Sequence, residues 1–154
     1  MKLKSVLFVC LGNICRSPLA EGIAKNMSKK NEWSLRIESC GTSAFHRGEP
    51  PHEYSIRTAK QHGIDISMQQ SRPINVYTDM EFDIIVAMDS QNKKDILSLG
   101  FPKDKVVKLG DFADGTDVPD PYYCKNDEGF EEVYSLLVYL LEKMFDYYGL
   151  KNKE

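Results

Sequence analysis

A chain of 154 residues, 42% hydrophobic and 28% charged, has the size and composition of one globular domain, which excludes a disordered or fibrous protein and gives no sign of a second domain. Its net charge of -3, with both signs scattered along the chain, speaks against partners such as nucleic acid or a membrane surface, which select clustered Lys and Arg. Four cysteines with no paired Cys-x-x-Cys or His spacing read as free thiols of a cytoplasmic protein, not as a disulfide framework or a metal centre.

Lys2 and Lys4 before the apolar run 6–11 imitate the start of a secretion signal, but the run is short, Asn13 and Arg16 follow it, and no small-residue cleavage site appears. Residues 3–9, mostly apolar with β-branched Val6 and Val9, instead predict a buried strand. Ser17 and Pro18 then read as an N-cap and first-turn proline for a helix reaching about residue 29. Further strands are expected at 33–39, 82–88 and 105–109. Helices are expected at 53–62, ending at Gly63, and at 90–99, ending at Gly100. Phe130, Val133, Tyr134, Leu137, Leu140, Leu141, Met144, Phe145 and Tyr148 recur at three- and four-residue steps and predict a long helix with one apolar stripe. The tail 151–154 is expected to fray. Strands alternating with helices imply a single doubly wound α/β domain, a parallel sheet with helices on both faces. Ligands of such sheets bind outside the carboxyl ends of the strands, so the turn after the first strand is the place to look.

That turn reads Cys10-Leu11-Gly12-Asn13-Ile14-Cys15-Arg16-Ser17. A short loop opening a helix points amides and the positive end of the helix dipole at one spot, a ready site for a phosphate dianion. Gly12 and Asn13 tolerate the left-handed backbone such convergence needs. Arg16 adds a planar fork for two phosphate oxygens. The same positive field favours Cys10 as thiolate, a nucleophile placed to attack bound phosphorus, and Ser17 can hydrogen-bond it. Cys15, in the same loop, reads either as a small buried apolar residue or as a redox partner that closes a reversible disulfide with Cys10. A Cys followed six positions later by Arg is common by chance; the strand before it, the Gly-Asn loop and the Ser-Pro helix start give it weight. Cleaving a phosphate ester also needs a proton donor for the departing oxygen, and Asp117-Val118-Pro119-Asp120-Pro121-Tyr122-Tyr123 offers Asp120 on a proline-stiffened loop.

Together with Gly41-Thr42-Ser43, Gly48-Glu49-Pro50-Pro51, Gly63-Ile64-Asp65 and Ala87-Met88-Asp89, these segments make the chain resemble the low-molecular-weight protein tyrosine phosphatases over nearly its whole length. The resemblance implies a four-stranded parallel sheet, no metal or other cofactor, and hydrolysis of phosphotyrosine or small aryl phosphates through a cysteinyl-phosphate. It implies Cys10 as nucleophile, Arg16 as binder of phosphate and transition state, and Asp120 as acid and then base. Leu11, Gly12, Asn13, Ile14, Cys15, Arg16 and Ser17 would bind phosphate, sulfate or vanadate. Asn13, Ser17 and Ser43 would support the loop, and Phe45, His46, Glu49, Tyr122 and Tyr123 would form the substrate wall. A monomer in the cytoplasm is expected.

Two positions depart from the family pattern. Phe45 stands where a Trp often lies, and Met68 where many relatives place a His that holds the loop Asn, which leaves Ser43 or Arg72 as partners for Asn13. His46, His52 and His62 read as solvated surface residues rather than catalytic ones. Arsenate reduction needs further cysteines, yet none lies between Cys40 and Cys124. Relatives that act on phosphoarginine carry Thr where this chain has Ile14. A non-catalytic phosphotyrosine-binding module or a phosphocarrier would need the phosphate cradle but not Asp120.

Overall fold

Four short apolar strands need cover on both faces, and in the computed structural model they obtain it from the helices between them. Residues 1–123 and 126–152 are described, apart from the side chain of Tyr123. In chain order the regular elements are β1 (Ser5–Cys10), α1 (Arg16–Asn31), β2 (Arg36–Gly41), α2 (Glu53–Gln61), β3 (Ile84–Ala87), α3 (Ser90–Ser98), β4 (Val106–Lys108) and α4 (Asp127–Tyr147). The strands form one parallel sheet in the order β2-β1-β3-β4. The expected four-stranded doubly wound sheet is therefore present.

Strand alternation divides the core. Val6, Phe8 and Cys10 of β1 face a cluster built with Leu19, Ala20 and Ile23 of α1, Ala59 of α2, and Val133, Leu137, Leu140 and Leu141 of α4. Leu7 and Val9 face the other way, onto Phe82, Ile85, Ile96 of α3 and Phe101. The apolar stripe of α4 is buried from Phe130 to Phe145 as its spacing predicts, and Asn126 caps the helix by accepting the Gly129 N–H at 3.1 Å.

Register aligns the carboxyl ends of the strands. Cys10 pairs with Gly41, Val9 with Ala87, and Ala87 with Lys108. The chain passes from β1 to β2 on one side and then to β3 on the other, so the order reverses beside Cys10.

Several boundaries differ from expectation. β2 starts at Arg36 because α1 ends in a left-handed Glu32 (φ 56°), and Trp33 is drawn back to the helix, its N–H bonded to Ser28 O at 2.9 Å and its ring packed 5.0 Å from Phe145. α1 starts at Arg16, not after Ser17; Cys15 occupies the cap position with no side-chain hydrogen bond. Ser17 is not the N-cap, since its hydroxyl is turned to Cys10 and Asn13. In the tail, Trp33 Nε1 donates to Lys151 O at 3.2 Å and Asn31 Nδ2 to Asn152 Oδ1 at 3.1 Å. Among the described residues no helix is long and apolar enough to cross a membrane, and no group of three His, Cys, Asp or Glu could hold a metal ion.

Candidate active site

The turn after β1 wraps because its carbonyls are taken up outside it. Thr42 N–H bonds Cys10 O at 3.0 Å, Ser43 N–H bonds Leu11 O at 2.9 Å, and His52 N–H bonds Ile14 O at 2.8 Å. Ser71 Oγ donates to Gly12 O at 3.0 Å. Turning the carbonyls outward leaves the amide side of the loop toward its centre. Gly41 permits the close approach of β2: a Cβ there would lie 2.7 Å from Leu11 O.

At the floor of the loop lies Cys10, 3% exposed, its Sγ 3.3 Å from the donating Asn13 N–H and 3.1 Å from Ser17 Oγ. Asn13 is the residue in left-handed conformation (φ 56°), and its buried amide fixes the turn. Its Oδ1 accepts the Arg72 N–H at 3.1 Å, while Nδ2 donates to Ser17 Oγ at 2.8 Å and to Ser39 Oγ at 3.0 Å. Of the two expected partners, Arg72 serves through its backbone. Ser43 does not reach Asn13; its hydroxyl accepts the Phe45 N–H at 3.1 Å.

The network sets the direction of the hydrogen bonds. Ser39 Oγ donates to the buried carboxylate of Glu21 at 2.7 Å, so it can only accept from Asn13. With both Asn13 Nδ2 hydrogens used, Ser17 Oγ accepts from Asn13, and its own hydrogen has two acceptors in range, Cys10 Sγ at 3.1 Å and Cys40 O at 3.4 Å. Glu21 and Ser39 carry no motif signal, because their role exists only once α1 and β2 pack together.

Arg16, 2% exposed, donates through Nη1 to Asp89 Oδ2 at 2.6 Å and to Val118 O at 2.9 Å, and its Nη2 is 3.5 Å from Asp120 Oδ2. Its Nε is buried with no hydrogen-bond partner, a donor suited to an oxyanion. Burial opposes its charge, but the Cys10 charge, the bond to Asp89 and the Asp120 carboxylate outweigh burial and hold the guanidinium above its ordinary value. Asp89, in the sequence only the last residue of the segment Ala87-Met88-Asp89, caps α3 here: its Oδ1 accepts the Asn92 N–H at 2.7 Å. That its other oxygen orients Arg16 needs the strand order.

Over Cys10 opens a cavity of about 360 Å³ lined by Cys10, Leu11, Gly12, Ile14, Cys15, Ser43, Phe45, His46, Asp120 and Tyr122. The loop and Asp120, distant in sequence, thus share one space. Glu49 lines the adjoining groove with Ile14, His46 and Tyr122. The side chain of Tyr123 lies outside the described residues. His46 is not a solvated residue: its side chain is 15% exposed, its Nδ1 lies 2.8 Å from Glu49 Oε2, and its ring packs 5.9 Å from that of Tyr122. His52 is half-buried, caps α2 by accepting the Tyr54 N–H at 3.1 Å and stacks on Phe130. His62 stacks on Tyr134 and meets Glu131, away from the cavity. Cys15 is a buried free thiol, pushed well up first by burial and then by the charges of Cys10 and Asp120, against a hydrogen bond from Ser55.

Similar chains are found among known proteins. A family model for low molecular weight phosphotyrosine protein phosphatases matches residues 5–153. The low molecular weight protein-tyrosine-phosphatase YfkJ of Bacillus subtilis (strain 168) is 41% identical over 140 residues, covering 86% of this chain and 88% of that protein. PtpA of Staphylococcus aureus (strain Newman), of the same description, is 40% identical over 146 residues, covering 92% of each. Among solved structures, a protein tyrosine phosphatase from Entamoeba histolytica superposes with a TM-score of 0.85 at 33% identity, covering 93% of this chain and 95% of that one. The chain belongs to the low molecular weight protein tyrosine phosphatase family.

Proposed function

We propose that this chain hydrolyses phosphotyrosine in proteins, and small aryl phosphates, by two displacements at phosphorus on Cys10. The observation that carries the reading is one cavity that holds Cys10, under a donating amide and hydroxyl, together with Asp120 and an aromatic wall, beside a buried Arg16 Nε without a protein partner. The ester dianion sits on the amides of residues 11–17 with Arg16 across its oxygens. Cys10 Sγ forms a bond to phosphorus as the P–O bond to the phenol breaks, and Asp120 gives its proton to the departing oxygen. Asp120, now a carboxylate, takes a proton from water, whose oxygen attacks phosphorus. Phosphate leaves, the Cys10 thiolate is restored, and the Ser17 hydroxyl stabilises it.

Phe45, His46 and Tyr122 supply an aromatic rim that suits a phenyl ring, and Glu49 extends that rim into the adjoining groove. Phosphate, sulfate and vanadate are the expected site anions. Cys15, beside the nucleophile, is the proposed redox partner, and three buried free thiols fit a reducing cytoplasm. A monomer suffices, because the chain itself supplies every group used. Asp120 distinguishes the reading from arsenate reduction and from a phosphate-binding module, neither of which uses an acid. The test is turnover of p-nitrophenyl phosphate under reducing conditions at about pH 5 to 6. The wild type is expected to turn it over, and Cys10→Ser to bind phosphate without turnover; an inert wild type would refute the reading.

A further inference from the structure

The loop that carries Asp120 is tied down from the end of β4. Lys108 ends β4 with a side chain 12% exposed, and a lysine ammonium has three donors and no acceptor. All three have a partner in range: Gly115 O at 2.7 Å, Asp117 Oδ1 at 2.9 Å and Ser90 Oγ at 3.2 Å. Asp117 Oδ1 also accepts from Ser90 N–H and Ser90 Oγ, each at 3.1 Å. One ammonium therefore joins the end of β4, the first residue of α3 and two points of the loop. The charges support the clamp: the bond to Asp117 raises Lys108, and the bond to Lys108 lowers Asp117.

Little freedom remains between this clamp and the acid. Asp117 precedes Asp120 by three residues. Val118 between them donates its N–H to Met88 O at 2.9 Å and offers its carbonyl to Arg16 at 2.9 Å. Pro119 has its own φ locked by its ring, and it restricts the backbone of Val118 before it. At the loop's other end, Gly110 allows the close approach of Thr116, whose oxygen would lie 1.7 Å from any Cβ there. The Lys108 ammonium is the one cation bonded to both Gly115 and Asp117 among the described residues.

We propose that Lys108 is a positioning residue for the general acid: by holding Gly115 and Asp117 it sets where Asp120 stands over the leaving-group oxygen. The inference rests on Asp120 being that acid. A lysine that merely stabilised the loop would affect melting temperature but treat all leaving groups alike. A positioning lysine matters most where the leaving group needs a proton.

The test compares kcat/KM on phenyl phosphate, whose phenolate leaves poorly, with p-nitrophenyl phosphate, whose phenolate leaves readily, in the wild type, Lys108→Met, Asp117→Asn and Asp120→Asn. Inhibition by inorganic phosphate reports the cradle independently. Lys108→Met is expected to lose about tenfold more on phenyl phosphate than on p-nitrophenyl phosphate, part of the range an acid contributes, with phosphate inhibition unchanged. Asp117→Asn, which keeps side-chain shape, is expected to split the two substrates in the same direction and serves should Lys108→Met fail to fold. If Asp120→Asn splits the substrates while both clamp variants slow them equally or not at all, the inference is overturned. If Asp120→Asn itself shows no split, the acid assignment fails, and the role of Lys108 with it.

Discussion

Two side chains show how single residues carry the site. Asp89 uses one oxygen to cap α3 and the other to hold Arg16 at 2.6 Å. Asp89→Asn keeps a capping acceptor but weakens a charge-assisted bond of about 1.5 to 3 kcal/mol, so kcat/KM on p-nitrophenyl phosphate is expected to fall by about ten- to a hundredfold with little change in melting temperature. Equal kinetics would remove Arg16 orientation from its role. Asn13 combines a left-handed backbone with three side-chain bonds. Asn13→Gly keeps the backbone and loses the bonds; Asn13→Ala loses both, and is expected to be less stable than the glycine variant by about 1 kcal/mol in urea unfolding. That Cys10, Arg16 and Asp120 come together was legible because each sits in a local pattern with a physical purpose. Asp89, Ser39, Glu21 and Lys108 were not, since each acts on a neighbour far away in the chain, and His46 was misread because its burial depends on the facing loop and Tyr122.

At the scale of elements, the loop after β1 and the loop that carries Asp120 are irregular segments held by rigid ones. Ile14 and Cys15 pack on Phe130 of α4, so the helix seats the loop as well as covering the sheet. Stability and chemistry should still separate along that helix. Leu137→Ala, in the fully buried stripe and outside the cavity lining, is expected to cost about 2 to 5 kcal/mol in chemical unfolding while leaving kcat/KM of the folded enzyme near the wild-type value. A parallel collapse of activity in folded protein would mean that α4 packing and the loop are coupled. The long helix was read correctly because its apolar period is sustained over several turns. The strands were placed but their ends drifted by a few residues, as with β2. There the left-handed Glu32 and the return of Trp33 to α1 decide where pairing begins, and neither is visible in a short apolar run.

For the molecule as a whole, the sheet order sets both the site and the response to pH. Placing β1 between β2 and β3 brings Cys10 to the crevice and buries Cys15 and Cys40 beside it. Burial raises both thiols in the folded state, Cys15 further through the charge of Cys10. An unfolded thiol titrates near about 8.5. Below that value both states keep the protons and these groups contribute no pH dependence. Above it the unfolded chain loses protons that the folded chain retains, so stability falls by up to about 1.4 kcal/mol per pH unit for each thiol. Urea midpoints are expected to drop between about pH 8 and 9.5, and Cys40→Ala to flatten that slope by one thiol's share; an identical slope in the variant would contradict the burial argument.

The most direct measurement is rapid-quench analysis of the wild type mixed with p-nitrophenyl phosphate. A sulfur poised beneath bound phosphorus predicts a nitrophenolate burst matching the enzyme concentration and a phosphoryl group recovered on the peptide containing Cys10, both absent in Cys10→Ser. A phosphoryl group on any other residue, or turnover that persists in Cys10→Ser, would contradict it.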